Sequence, residues 1–176
     1  MAVILSLLRG VNLASHHRMS MPHLKAVYES LKLRDVTTLL QSGNVVFQSN
    51  ARDLPALARR IEKAIEDRFG FPAPVALRTT DEMRQIVAAC PFASRKGLDP
   101  ARLAVTFFPG DAVAIVCDGP EEVHNGRREA YIYFTNGFAR TKVRTPATGT
   151  ARNWNTVRKL LDLAEEMESR TARPPR

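Results

Sequence analysis

Cysteine is scarce: the 176-residue chain has two, Cys90 and Cys117. Two thiols cannot staple a small secreted domain, and neither has a neighbour at metal-ligand spacing. That usage fits a reducing, cytoplasmic compartment. Long hydrophobic runs are missing too, since a membrane-spanning helix needs about 20 apolar residues. The longest, Met1 to Leu8, has no basic stretch before it and is cut by Arg9, so it reads as a buried strand rather than a leader or anchor. Aromatic residues make up only 7% of the chain, and strand candidates near the start offer Phe47 alone, which argues against a sheet that stacks RNA bases. No HExxH, CxxC, GxSxG, Walker A or GxGxxG pattern occurs, so zinc, nucleophilic-serine and dinucleotide chemistry lack support and no cofactor is expected. Acidic residues are in deficit, 18 against 26 Lys and Arg, leaving a formal charge of +8 and a pI near 10.1. Such a balance favours phosphate or nucleic acid as a partner.

What remains is the signature of a mixed α+β protein. Residues 2–9 form a continuous Val, Ile and Leu run ended by Gly10, a strand buried on both faces. Met21, Leu24, Val27, Tyr28 and Leu31 recur at helical spacing behind Ser20, a good N-cap, with Pro22 in the tolerated first turn. Two short strands, 36–40 and 45–48, flank the turn Gln41-Ser42-Gly43-Asn44. Leu54, Leu57, Ala58, Ile61, Ile65 and Phe69 give a clean apolar stripe between Asp53 as cap and Gly70 as stop. Residues 73–79 supply a fourth strand.

The order strand, helix, strand, strand, helix, strand over 1–79 is the split βαβ pattern of a ferredoxin-like (α-β plait) unit. A second unit of the same kind is expected over 80–168. It comprises a helix near 80–89 capped at Thr80-Asp81-Glu82, a strand over 102–108, a helix over 112–117, a hairpin turning at Asn125-Gly126 and a last helix over 151–168. Residues 169–176 read as a frayed tail. Because strand one is apolar on both faces, the two units are expected to pack together.

Three polar clusters interrupt the apolar elements: Arg9-Gly10-Val11-Asn12 after strand one, Ser42-Gly43-Asn44 in the hairpin, and Arg152-Asn153-Trp154-Asn155-Thr156 opening the last helix. In a split βαβ unit the first two share one sheet edge with the N-terminus of helix one, whose dipole and free N–H groups favour an anion. Arg9 adds a fork suited to phosphate or carboxylate. Each cluster has a plainer reading as well: Ser42-Gly43-Asn44 as an ordinary turn, Arg9 paired within the protein, Arg152 and Asn153 as helix cap and packing around Trp154.

From Ala130 to Leu161 the chain carries Arg140, Lys142, Arg144, Arg152, Arg158 and Lys159 and no carboxylate. Alternation over 140–144 puts three cations on one face of an extended segment, as a phosphate-backbone track requires; a solvated face has the same pattern. Candidate acid–base groups are few. His16 and His17 share a loop, His23 and His124 are isolated, and Glu62 and Glu66 read as surface charge on the second helix.

With these blocks in view the chain resembles the bacterial family known as domain of unknown function 1697. The resemblance rests on Leu7-Leu8-Arg9-Gly10-Val11-Asn12, on Ser42-Gly43-Asn44-Val45-Val46-Phe47, and on Arg152-Asn153-Trp154-Asn155-Thr156-Val157 followed by Lys159-Leu160. It implies two ferredoxin-like units and candidate site positions, and no activity. Ala14-Ser15 stand where members carry a Gly-Gly pair, so a glycine cradle for phosphate is not expected there, and His16-His17 reads as incidental.

The leading expectation is a module that binds a phosphate-bearing small molecule or nucleic acid. Its ligand residues are Arg9, Asn12, Ser42, Gly43, Asn44, Arg152, Asn153 and Asn155, with Arg140, Lys142, Arg144, Arg158 and Lys159 as the nucleic-acid track. An enzyme on a small anionic metabolite, with His17 or an Asp as base, and a protein-interaction or oligomeric module are the alternatives.

Overall fold

Strand β1 (Ala2–Leu8) is buried at every position from Val3 to Leu8, as its unbroken apolar run requires. The computed structural model describes residues 1–13 and 17–172. The chain is a mixed α+β structure with two four-stranded antiparallel sheets and four helices. Packing groups Met1–Glu82 and Leu160–Arg176 into one unit and Met83–Lys159 into another, so the distal part of the last helix belongs with the first sheet.

In the first unit, β1 is followed by α1 (Met21–Ser30), β2 (Arg34–Leu39), β3 (Asn44–Ser49), α2 (Leu54–Phe69) and β4 (Val75–Thr79). The strands lie in the order β2-β3-β1-β4. β3 thus separates β1 from β2, and the end of β1 meets the β2–β3 turn. Asn44 stands opposite Leu7 of β1 and Leu39 of β2.

Local chemistry fixes the helices. Ser20 caps α1 by accepting from His23 N at 3.3 Å, and Asp53 caps α2 through Ala56 N at 2.8 Å. Gly70 ends α2 in the left-handed region. Leu24, Val27 and Tyr28 of α1 and Leu57, Ile61 and Ile65 of α2 pack with Ile4, Leu8, Val45, Phe47, Val75 and Leu77 of the sheet. Ser6, between Ile4 and Leu8 along β1, shares a 2.7 Å hydrogen bond with the Tyr28 hydroxyl, and burial pushes that phenol's pKa up. Glu62 is no surface charge: its Oε1 accepts from Val75 N at 2.9 Å and ties α2 to the start of β4.

Helix α3 (Thr80–Ala88) leads into the second unit. Its cap is Thr79, one residue before the expected group: Thr79 Oγ1 accepts from Glu82 N at 3.1 Å and Glu82 Oε2 from Thr79 N at 2.8 Å. Then come β5 (Leu103–Phe107), β6 (Glu122–Asn125), β7 (Glu129–Tyr133), β8 (Thr150–Asn153) and α4 (Trp154–Ala172), with the strands ordered β6-β7-β5-β8. Ala104, Phe108, Ile115, Ala130, Ile132 and Phe134 form this unit's core, and Tyr131 donates to the Ile86 carbonyl at 2.7 Å.

Two expectations are corrected here. Residues 112–117 form no helix, because the hairpin takes their polar groups: Ala112 N donates to Arg127 O at 2.8 Å, and the Asn125 carboxamide meets Ile115 N and O at 2.9 and 3.1 Å. Residues 151–153 belong to β8 rather than to the last helix, paired with Ala104 to Thr106 of β5. Among the described residues no helix is long and apolar enough to cross a membrane. Residues 173–176 of the expected tail lie outside the described residues.

Candidate functional site

The chain leaves β1 through a bond from Arg9 N to Pro74 O at 2.9 Å and turns at Gly10, where φ is +69°. Asn12 follows, also left-handed, at φ +52°. Its carboxamide holds two segments. Oδ1 accepts from Met19 N at 2.8 Å, while Nδ2 donates to Met19 O at 3.0 Å and to Gln41 O at 2.7 Å. Gln41 opens the β2–β3 turn, so Asn12 pins both the loop before α1 and that turn to the end of β1.

The turn itself is built from within. Asn44 Nδ2 donates to Leu39 O at 2.8 Å and to Ser42 Oγ at 2.9 Å, and Asn44 is fully buried. Gly43 accepts from Leu8 N at 2.8 Å through its carbonyl. A Cβ at Gly43 would lie 2.7 Å from Val11 Cγ2 and 2.8 Å from Leu8 Cβ, so only glycine permits this approach. The first two polar clusters are therefore neighbours, joined where Leu8 N meets Gly43 O and Asn12 Nδ2 meets Gln41 O.

Beside them lies a cavity of about 470 Å³, lined by Asn12, Arg18, Met19, Ser20 and Gln41. Ser20 is the N-cap of α1, so the cavity sits at that helix's positive end. Arg9, Ser42, Gly43 and Asn44 are not among the described lining residues. Among the described lining residues the cation is Arg18, which lies outside the three polar clusters of the sequence. Its signal was available: a basic residue two positions before an N-cap, next to Met19, which is buried and anchors the loop. Arg18 is exposed and forms no ion pair or side-chain hydrogen bond among the described residues.

His17 is held in place, its Nδ1 3.1 Å from Gly10 O and its ring stacked on Phe71 at 4.5 Å. His16 and the Ala14-Ser15 pair lie outside the described residues. His124 packs edge-on against Phe92 at 5.2 Å. Among the described residues no group of three His, Cys, Asp or Glu side chains is placed to hold a metal ion. Burial pushes the Cys90 thiol up, and the Cys117 thiol donates to Glu121 Oε2 at 3.3 Å.

The third cluster is part of the second unit. Arg152, in β8 opposite Val105, is buried. Its guanidinium donates to Thr150 Oγ1 at 2.7 Å and Ala151 O at 2.9 Å, and burial lowers its pKa to about 10. Asn153 Nδ2 reaches the carbonyls of Pro100, Ala101 and Leu103 at 3.1–3.4 Å, while its Oδ1 accepts from Asn155 N at 3.0 Å. Asn153 thus joins β8 to the segment before β5 and caps α4. Asn155 is exposed on the first turn of that helix.

Arg140, Lys142 and Arg144 are exposed, whereas Thr141 and Val143 between them are half-buried. Val143 packs on the second core. Thr141 gives a hydrogen bond to Glu121, as does the Lys142 backbone N–H, and the Thr141 hydroxyl leads in holding that carboxyl below its usual range. Arg140 ends a 3-10 turn (Phe138–Arg140), the chain becomes extended at Thr141, and all three cations are exposed. Arg158 and Lys159 are exposed on α4. None of these five forms an ion pair among the described residues.

The family profile described as Protein of unknown function (DUF1697) matches residues 1–135. The chain belongs to the DUF1697 family. The match takes in the Arg9–Asn12 and Ser42–Asn44 clusters and the residues around the 470 Å³ cavity; the Arg152–Leu160 block lies beyond it. Among solved structures the chain is similar to that of the conserved bacterial protein SP0830 from Streptococcus pneumoniae. The identity is 19%, the TM-score is 0.75, and the alignment covers 93% of this chain and 98% of that one. At that identity the likeness speaks for the fold alone. Among curated proteins none matches.

Proposed function

We propose that this DUF1697 member binds a phosphate-bearing small molecule in the cavity at the N-terminus of α1. The observation that carries this is Arg18, a cation without a partner among the described residues, beside the positive end of α1 and a carboxamide already locked in place. The dipole and the guanidinium favour the same charge. The cavity, at about 470 Å³, falls in the size range of small-ligand sites. Arg18 contacts the phosphate in this reading, and Asn12 sets the cavity's shape. Arg9, Ser42, Gly43 and Asn44 support the edge on which the cavity stands; Arg152, Asn153 and Asn155 serve the second unit. The strand order β2-β3-β1-β4 with two crossover helices supports a ferredoxin-like first unit, and the matching order β6-β7-β5-β8 supports a plait-like second one in which irregular segments take the place of the crossover helices.

The test is calorimetric titration with ribose 5-phosphate at two salt concentrations, on the parent chain and on Arg18→Ala. The expected result is salt-sensitive binding, weakened about ten-fold or more in the variant, with an unchanged melting temperature. Equal binding by both proteins would overturn the reading.

A second reading has its own support. The five outward cations of the second unit, which form no ion pair among the described residues, favour contact with a nucleic-acid backbone. That unit holds twelve Lys and Arg against six Asp and Glu, so it carries most of the chain's excess charge.

A further inference from the structure

A second cavity, of about 320 Å³, lies in the first unit where α1 ends, β3 ends and α2 begins. It is at the far end of α1 from the Arg18 cavity. Three cations line it, Lys32, Arg34 and Arg60, together with Asn50 and an apolar floor that includes Leu33 and Leu57. Among the described residues no Asp or Glu lines it. Of the carboxylates flanking these segments, Glu29 pairs with Lys25 at 3.8 Å and Asp53 caps α2, while Asp35, next to Arg34, is exposed and not among the lining residues. Among the described residues none of the three cations forms an ion pair, and the Asn50 carboxamide makes no hydrogen bond.

Lys32 stands out further. It occupies the left-handed position that closes α1, φ +64°, with Lys32 N bonded to Glu29 O at 2.9 Å and Leu33 N to Tyr28 O at 3.4 Å. Glycine or asparagine is the usual residue in that position. A lysine is held there against backbone preference, and among the described residues its ammonium makes no bond.

We propose that this cavity is a binding site for a small organic phosphate of about nucleoside-monophosphate size. Three unneutralised cations match a phosphate dianion better than a single carboxylate, and two arginine forks suit its oxygens. Asn50 supplies neutral donors and an acceptor, and the leucine floor accepts the flat or apolar body of the ligand. The site is independent of Arg18.

The experiment is an NMR titration of the full chain with adenosine monophosphate, paired with thermal unfolding, on the parent, Lys32→Gly, Arg60→Gln and Arg18→Ala. The parent is expected to show saturable shifts at the amides of Leu33, Asn50 and Ala51. Lys32→Gly relieves the left-handed strain, so it should unfold at a higher temperature than the parent while binding about ten-fold more weakly. Arg60→Gln should weaken binding without a change in unfolding, and Arg18→Ala should leave these shifts as they are. Absence of saturable shifts at these amides, or parental affinity in both Lys32→Gly and Arg60→Gln, would overturn the proposal. So would a Lys32→Gly chain that unfolds at a lower temperature, since Lys32 would then be structural.

Discussion

Asn12 grips Met19 by both ends of its carboxamide, accepting from the Met19 N–H at 2.8 Å and donating to the Met19 carbonyl at 3.0 Å. A side chain thereby imitates a strand partner and fixes the loop that carries Arg18. The same Nδ2 also reaches Gln41 O. Asn12→Ala removes three bonds worth about 1 kcal/mol each and places a Cβ-bearing residue without a local hydrogen bond at φ +52°. The expected loss is about 3 kcal/mol, a fall in melting temperature of roughly 6–12 °C by thermal unfolding. Were Asn12 purely a ligand contact, the melting temperature would hold and only affinity would fall.

Gly43 and Gly70 both have positive φ, +74° and +79°, yet their surroundings differ. A Cβ at Gly70 meets nothing within 4 Å, whereas one at Gly43 meets Val11 and Leu8 below 3.0 Å. Gly70→Ala should therefore cost about 1 kcal/mol, the backbone preference alone. Gly43→Ala should cost that plus about 1–3 kcal/mol of overpacking, because the apolar neighbours are buried and cannot move aside. Urea midpoints of the two variants make the comparison; equal shifts would show that the β2–β3 turn relaxes freely.

In the second unit Arg95 meets Glu122 with two bonds, 2.8 and 2.6 Å, and its guanidinium lies over both Phe92 and Tyr133 at 4.9 Å. The hydrogen bonds from Arg95 hold the Glu122 carboxyl below its ordinary 4.5. A carboxyl with a depressed folded-state pKa binds its proton more weakly in the folded chain than in the unfolded one. Its contribution is thus complete above about pH 4.5 and fades as pH falls through the lowered value. Melting temperatures of the parent and Glu122→Gln should differ most near neutral pH and converge towards about pH 3. A gap that persists at low pH would assign the difference to packing.

Where local pattern and tertiary structure agree, the elements were legible. Helix α2 shows this best, with its Asp53 cap, its stripe of Leu57, Ile61 and Ile65, and its Gly70 stop all visible in the sequence. Strand β8 was not legible, because Thr150-Ala151-Arg152-Asn153 has no apolar alternation and is a strand only by virtue of its pairing with β5. Residues 112–117 failed for the opposite reason: they are apolar enough for a helix, but Asn125 offers their backbone a better partner. At the candidate site the sequence pointed to Arg9, and the described lining of the cavity holds Arg18. Arg9 and Arg18 both border the polar loop, and only its closure by Asn12 and Met19 decides which one reaches the cavity.

The outward cations of the second unit give the last prediction. Arg140, at the end of a 3-10 turn, and Lys142 and Arg144 after it are exposed around Val143, which packs on the core. Phe138, 46% exposed and packed on Phe134 at 4.3 Å, stands beside them as a face on which a base can stack. If this surface takes single-stranded nucleic acid, each phosphate contact releases counterions, and affinity depends on salt in proportion to their number. Replacing all three cations with glutamine should reduce the slope of log affinity against log salt by about 2 for an oligothymidylate, with an unchanged melting temperature because the three side chains make no ion pair among the described residues. Phe138→Ala should weaken binding and leave that slope as it is, since stacking releases no counterions. A triple variant with the parental slope would mean that these cations face only solvent.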